Sequence, residues 1–354
     1  MTSQAAPARR PTLLSIASAT PPLSLSQEEI FEGLLKHWYK DIPNAERIIK
    51  NTGVRRRHFA WDPRVELREG NRGLGERVRV YERVGLEVTG QSVEKALEGL
   101  DRSRVGAFTM TTNSGYSGPG LDLFIAKKLG LRSSIRRTFV GHMGCFAAFP
   151  TLRVAMDSLA ARPDEYVIAN ASEYSSLQWR SDPDPEQAVI MGLFGDATCS
   201  LVLGTAPDGE GVQFIRSHTE QLYETHELMG WHMMNDGFKM TLSPYVPFVL
   251  AEHIDTILER LLGPEKLGKG DIKHWLIHPG GPKILEAIAR QLKLDKSAMR
   301  ASWHVLGEYG NCGCVTALLV LEEAMKTDKP QRGEYGVMMG FGPGLTVESM
   351  LVRF

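Results

Sequence analysis

The chain has 354 residues, 42% of them hydrophobic and 23% charged, with 41 basic against 42 acidic residues and a net charge of −1. That balance supplies a globular core and leaves no basic stripe of the kind that neutralises nucleic acid. No run approaches the ~18 consecutive apolar residues of a membrane span, and the opening MTSQAAPARRPT lacks the apolar segment of a secretory signal, so the expected address is the cytoplasm.

Residues 12–19 (TLLSIASA) predict a buried strand. Ser26-Gln27-Glu28-Glu29 fits a capping box, opening a helix with Ile30, Leu34, Leu35 and Trp38 at helical spacing. Residues 43–80 read as polar and irregular, with helical patterning resuming over 84–99. Strands and helices then alternate: strand 105–112, helix 121–129, strand 136–141, helix 146–161, and strands 165–172 and 198–204. A second run follows, with strands in 212–217 and 274–281, helices over 247–262, 283–293 and 312–326, and terminal strands at 335–340 and 345–353. This alternation argues for α/β layers, with helices covering a mostly parallel sheet.

One pattern occurs in both runs. Gly141-His142-Met143-Gly144-Cys145 opens one predicted helix, and Gly307-Glu308-Tyr309-Gly310-Asn311 opens another. Matched placement argues for an internal duplication, dividing the chain into a half over 1–209 that carries the cysteine and a half over 210–354 that carries a histidine and the asparagine. The four cysteines, Cys145, Cys199, Cys312 and Cys314, are expected as thiols in a reducing compartment. Cys312-x-Cys314 lacks a second ligand pair at metal spacing, so no metal site is expected.

Three side chains carry chemistry when taken together. Cys145 at a helix start feels the positive end of the helix dipole, which favours a thiolate, and free amides there suit an oxyanion. On its own, a cysteine in this place is as well explained by packing. His278 ends an apolar strand at Pro279-Gly280-Gly281-Pro282, a junction where α/β sheets bind ligands. A structural histidine is the competing explanation. Asn311, taken singly, is most simply an N-cap. A thiol, an imidazole and a carboxamide form a covalent-catalysis set, either of a cysteine hydrolase or of an acyl-condensing enzyme. The duplication favours condensation.

At these residues the chain resembles the type III polyketide synthases, the chalcone-synthase-like family of the thiolase superfamily. The motifs, in the family's order, are Gly141–Cys145, Leu193-Phe194-Gly195-Asp196, Ile277-His278-Pro279-Gly280-Gly281, Gly307–Asn311 and Gly340-Phe341-Gly342-Pro343-Gly344. Ketoacyl carrier-protein synthases share the Cys-His-Asn logic, but the last motif points away from them. The resemblance implies a thiolase fold of duplicated βαβαβ halves in α-β-α-β-α layers, usually a homodimer, with a pantetheine tunnel leading to Cys145. It implies an acyl group carried on Cys145, with His278 and Asn311 driving decarboxylation of a malonyl thioester and holding the enolate. No metal or redox cofactor is implied; the substrates are thioesters of CoA or of an acyl carrier protein.

The resemblance also places substrate-binding residues. Phe194 stands as a gatekeeper between tunnel and cavity. Met240 takes the place of a second gatekeeper phenylalanine, with Phe238 two residues away. Trp231 stands at a position that is often a cavity-shaping glycine, and Gln178 and Gly313 fall at other cavity-lining positions. Gly118 replaces a methionine that in plant members reaches the partner's active site. Arg55, Arg56 and Arg57 lie where basic residues of the family meet CoA phosphates, and the same patch would suit an acidic carrier protein. These departures lead us to expect a long aliphatic or β-keto acyl starter and a pyrone-type product. The alternatives are a stand-alone ketosynthase that joins two carrier-bound β-keto chains into an α-pyrone, and a catalytically inactive acyl-binding relative.

Overall fold

The computed structural model describes residues 9–68, 70 and 72–354. Residues 1–8, part of the stretch read for targeting, lie outside it. In chain order the strands are β1 (Arg9–Ala19), β2 (Leu23–Ser26), β3 (Arg56–Phe59), β4 (Val105–Thr112), β5 (Arg136–Gly141), β6 (Tyr166–Tyr174), β7 (Asp196–Pro207), β8 (Val212–Gln221), β9 (Met229–Met234), β10 (Gly237–Leu242), β11 (Ile272–Ile277), β12 (Tyr335–Gly342) and β13 (Thr346–Arg353).

Nine of them form one sheet in the order β11-β12-β13-β8-β1-β7-β6-β4-β5. The pairing pattern occurs twice. β4 pairs parallel with β6, which pairs antiparallel with β7, which pairs antiparallel with β1. Likewise β11 pairs parallel with β12, then β13 and β8 follow antiparallel. The two runs join where Thr12 and Leu13 of β1 meet Gln213 and Val212 of β8. The first run has an extra edge strand, β5; at the matching place in the chain the second has the helix Arg300–Tyr309, which the sequence reading missed.

The sheet is not mostly parallel, as the alternation suggested. Only β4–β5, β4–β6 and β11–β12 run parallel. The reason is that each run closes on strands that turn back, most tightly at Pro343-Gly344-Leu345 between β12 and β13. Helices lie in layers on both sides. Thr316–Glu323 is buried from Thr316 to Glu322, as its nearly uninterrupted apolar sequence requires. With Ala148–Ala161 it fills a core shared with the faces of β6, β7, β12 and β13. Leu74–Ala96, Val246–Leu262 and Pro282–Leu292 cover the outer faces through a second core. This is the α-β-α-β-α layering that the resemblance implies.

Ser26 caps its helix through Glu29 Nα with the reciprocal Glu29 contact in place, as read. Residues 43–80, however, are not irregular. They hold a helix at Ala45–Lys50, β3, and the start of a helix running over Leu74–Ala96, ten residues before the expected onset. Charges hid it. Arg77 is fully buried, donating to the carbonyls of Leu177 and Trp179 over the Trp61 ring. The β9–β10 hairpin also went unread, although Met229, Trp231 and Met233 alternate with polar or small residues and face Leu242, Met240 and Phe238 across the pair.

Candidate active site

Cys145 lies in the 3-10 turn Gly144–Phe146, which leads into the helix Ala148–Ala161. Gly144 has φ 73, and a Cβ there would sit 2.3 Å from Pro343, so the Cys145 turn and the Gly340–Gly344 turn press together. Asn113, at the end of β4, clamps this turn from the other side. Its Oδ1 accepts from Gly144 Nα at 2.9 Å, and its Nδ2 donates to Gly144 O at 3.3 Å.

His278 follows β11, and its amide donates to Met339 O on β12 at 2.8 Å. The side chain is 1% exposed, and neither ring nitrogen has a hydrogen-bond partner. A buried imidazole with two unpaired nitrogens is costly unless it serves a ligand. Asn311 is held by a short parallel bridge: its amide donates to Leu193 O at 2.9 Å, and its carbonyl accepts from Gly195 Nα at 3.0 Å. Asn311 Oδ1 accepts from Gly313 Nα at 2.9 Å and Thr316 Oγ1 at 3.3 Å. That occupies the oxygen and leaves the amide nitrogen as the group for the cavity, apart from a 3.5 Å contact with Gly280 O. Asn311 does not open the helix itself; a turn at Gly313–Val315 intervenes.

The three side chains line one cavity of about 70 Å³. A wider cleft of about 710 Å³ shares Leu242, Gly280 and Ile284 with it and opens past Ile48, Asn51 and Val246. Burial governs the charges at the bottom. It pushes the Cys145 thiol up to about 12 and the His278 imidazole down to about 3. Desolvation thus opposes the thiolate that the helix dipole favours. Contact with Asn311 works the other way and lowers the Cys145 value.

A buried carboxyl was missed. Glu173, at the end of β6, lines the same cavity and is fully buried. It accepts from Asn113 Nδ2 at 2.7 Å and from Cys314 Sγ at 3.4 Å. Burial raises its own value, and its charge adds to the rise of the Cys145 thiol. Its place at the end of an apolar strand beside β4 was the available signal.

Of the residues placed by resemblance, Phe194, Gln178, Trp231, Phe238, Met240 and Gly313 line the cavity. Gly118 does not; it is exposed, with open space around a Cβ. The arginines do not act as a set. Arg57 is fully buried, donating to the carbonyls of Met191 and Phe194 and to Gln27 Oε1, so it cannot reach a phosphate. Arg55 and Arg56 turn to Glu308, Arg55 at 2.6 Å and Arg56 at 3.9 Å. Cys312 and Cys314 are buried, and among the described residues no group of three or more His, Cys, Asp or Glu side chains is placed to hold a metal. No helix of the described residues is long and apolar enough to cross a membrane.

Comparison with known proteins bears on this geometry. The model for the N-terminal domain of chalcone and stilbene synthases matches residues 1–207, and that for the C-terminal domain matches residues 213–354. A 1,3,6,8-tetrahydroxynaphthalene synthase from Streptomyces peucetius subsp. caesius is 28% identical, over 98% of this chain and 94% of the relative. A 3,5-dihydroxyphenylacetyl-CoA synthase from Streptomyces toyocaensis is 27% identical, over 98% and 90%. Among solved structures, PKS-I from the brown alga Ectocarpus siliculosus superposes with a TM-score of 0.93 at 26% identity, covering 99% of this chain and 100% of that one. The tetrahydroxynaphthalene synthase of Streptomyces coelicolor A3(2), a bacterial type III polyketide synthase, gives 0.90 at 27% identity, over 97% and 99%. With both family models matched along its length and the thiolase fold shared with these structures, the chain belongs to the chalcone and stilbene synthases, the type III polyketide synthases, acyltransferases that condense malonyl-CoA through cysteine chemistry.

Proposed function

We propose that this enzyme transfers a short acyl or β-keto acyl group from CoA to Cys145, extends it with malonyl-CoA, and releases an α-pyrone. The observation that carries the reading is the buried, unpartnered imidazole of His278 on the wall of a cavity shared with Cys145 and Asn311. In the first step the Cys145 proton passes to His278 as the thioester arrives. Each charge alone is penalised by burial, but thiolate and imidazolium form a pair with no net charge. Sγ bonds to the acyl carbon, the bond to the CoA sulfur breaks, and the departing thiolate takes the proton back from His278. In the second step malonyl-CoA loses CO₂. Asn311 Nδ2 and the remaining N–H of His278 donate to the enolate oxygen, and the enolate carbon attacks the acyl carbonyl, expelling Cys145 as a thiolate that takes up a proton from water. No electrons are gained or lost overall, so the chemistry calls for no redox cofactor.

The small cavity supports a short chain. A cavity of about 150 Å³ is known to take up benzene, about twice the space beside Cys145. This argues against the naphthalene product named for the Streptomyces relative, and against the long aliphatic starter that the departures from the family suggested. We further propose that the halves over 1–209 and 210–354 are the duplicated units, and that two chains pair through the edge strand β5, where Phe139 and the following Met143 are exposed.

The test is incubation of the purified chain with acyl-CoA and ¹³C-malonyl-CoA. The expected result is a labelled pyrone, loss of acyl-enzyme mass in Cys145→Ala, and retained acyl-enzyme without condensation in Asn311→Ala. No mass shift on wild type would favour the inactive binder. Product only from two carrier-bound β-keto chains, without malonyl-CoA, would favour the cross-condensing ketosynthase.

A further inference from the structure

We infer that Gln178 is a specificity-determining residue that accepts a hydrogen bond from the enol hydroxyl of a β-keto acyl group, and so favours β-keto thioesters over saturated ones of equal length. The inference rests on the condensing function proposed above. Gln178 is 4% exposed and lines the cavity of Cys145. Its Nε2 donates to Ser114 O at 2.8 Å. A backbone carbonyl only accepts, so that bond fixes which way the amide points. Oε1 is then left without a donor among the described residues. A carboxamide oxygen buried unpaired is costly, and a ligand that donates to it relieves the cost.

The rest of the wall shows which ligand group is missing. The other buried side-chain atoms there that lack a protein partner are His278 Nδ1 and Nε2 and Trp179 Nε1, so among the described residues Gln178 Oε1 is the one that can only accept. Asn113 and Glu173 are bonded to each other, and Asn113 to the Cys145 turn. Acyl and malonyl thioesters bring carbonyl and carboxylate oxygens, which accept. An O–H arises when a β-keto acyl group enolises: a proton leaves the carbon between the two carbonyls and arrives on the ketone oxygen, with no atom or electron gained. The thioester oxygen, which would otherwise hold that hydroxyl within the chain, is the one that Asn311 and His278 address. The competing donor is an amide N–H of the pantetheine arm. Gln178 lines the inner cavity and not the wider cleft past Ile48 and Val246, so the acyl end reaches it and the arm does not.

The backbone under Gln178 is held still. The residue ends the 3-10 turn Ser175–Gln178. Buried Arg77 donates to the carbonyls on either side of it, Leu177 O at 2.6 Å and Trp179 O at 2.8 Å. Trp61 Nε1 donates to Ser176 O at 3.1 Å, and Asp196 Oδ1 accepts from Ser176 Nα at 2.8 Å. The β9–β10 hairpin closes over the carbonyl of Gln178 itself, where a Cβ on Gly237 would stand 2.5 Å away. An acceptor carried on so fixed a backbone is preorganised for one donor position.

The test is calorimetric binding in Cys145→Ala, where no acyl transfer intervenes, with three thioesters of equal acyl length: acetoacetyl-CoA, 3-hydroxybutyryl-CoA and butyryl-CoA. Gln178→Met keeps the length of the side chain and removes the acceptor. We expect the butyryl-CoA Kd divided by the acetoacetyl-CoA Kd to fall at least about threefold when Gln178→Met is added, the size of one hydrogen bond. A merely structural role would shift both Kd values together, as would a bond to the pantetheine arm that all three thioesters share, so an unchanged ratio overturns the inference. A ratio that falls for 3-hydroxybutyryl-CoA and not for acetoacetyl-CoA would overturn it too, by making the donor an alcohol. The methionine variant leaves Ser114 O without its donor; if it melts early, Gln178→Leu is read in the same way. Binding is measured without malonyl-CoA, so the two proposals fail separately. A fallen ratio with no labelled product from wild type would sink the condensing function alone, whereas labelled product with an unchanged ratio would sink this inference alone.

Discussion

Replacing Trp231 with alanine should lengthen the polyketide, and the size of the effect follows from space. The cavity beside Cys145 is about 70 Å³. A water occupies about 30 Å³ of liquid, so the cavity admits roughly one two-carbon ketide unit beyond the thioester. Deleting a leucine side chain from a core leaves about 150 Å³, and an indole is larger still. The variant's cavity should therefore exceed about 200 Å³, room for roughly two more units. The fold should tolerate the change. Trp231 is only part-buried on a hairpin, so the loss should fall below the 3–5 kcal/mol typical of a buried tryptophan, with about 1 kcal/mol of it from the Phe238 stack. The assay is mass spectrometry of products from acetoacetyl-CoA and ¹³C-malonyl-CoA, counting labelled units per product. The same product distribution as wild type, from a variant that melts within a few degrees of it, would refute the idea that this ring limits growth.

Glu173→Gln should lower the thiol value of Cys145, because a carboxylate that disfavours the thiolate is lost; the curve of iodoacetamide rate against pH should move to lower pH, and a move upward would reverse the sign assigned here. Gly310→Ala places a Cβ 2.4 Å from Leu193 O at φ +70, which should cost about 2 kcal/mol or more and abolish condensation by displacing Asn311, as read by thermal melting and turnover. Arg57→Met strands the carbonyls of Met191 and Phe194, so urea unfolding should show a loss of about 3 kcal/mol or more. Arg55→Ala breaks only an exposed pair with Glu308 and should change stability by less than about 1 kcal/mol; if Arg55→Ala cost as much as Arg57→Met, the division between buried and exposed arginines would be wrong.

The gathering of Cys145, His278 and Asn311 at one cavity was legible because glycines and strand ends mark all three. Gly144, Gly280 and Gly310 sit where the backbone must turn or approach closely, and each precedes or follows a reactive side chain by one or two residues. Apolar runs such as VGAFTMTT gave β4 at its true bounds because a strand buried on both faces has no polar break. What stayed hidden depends on partners distant in the chain. Arg57 and Arg77 look like surface charges until the carbonyls they satisfy are in place, a hundred or more residues away. Glu173 looks like a strand-end carboxylate until Asn113 and Cys314 fold against it. A circuit of rings, Tyr116, His142, Trp231 and Phe238, draws on separate loops and a hairpin, and no periodicity links them. The dipole argument for Cys145 was sound as far as it went, but it priced the helix end without the depth of the cavity.

The short splice of β1 onto β8 has a lasting effect. Cysteine stands on one side of that seam, histidine and asparagine on the other, and hydrogen bonds at Thr12 and Leu13 weld both sides into a single slab. Pairing across the seam ties the Cys145 side to the His278 and Asn311 side within one nine-stranded sheet. Adaptation to a new starter or a longer product is left to the β9–β10 flap, a separate two-stranded ribbon that can be resculpted residue by residue while the chemistry beneath it stays fixed.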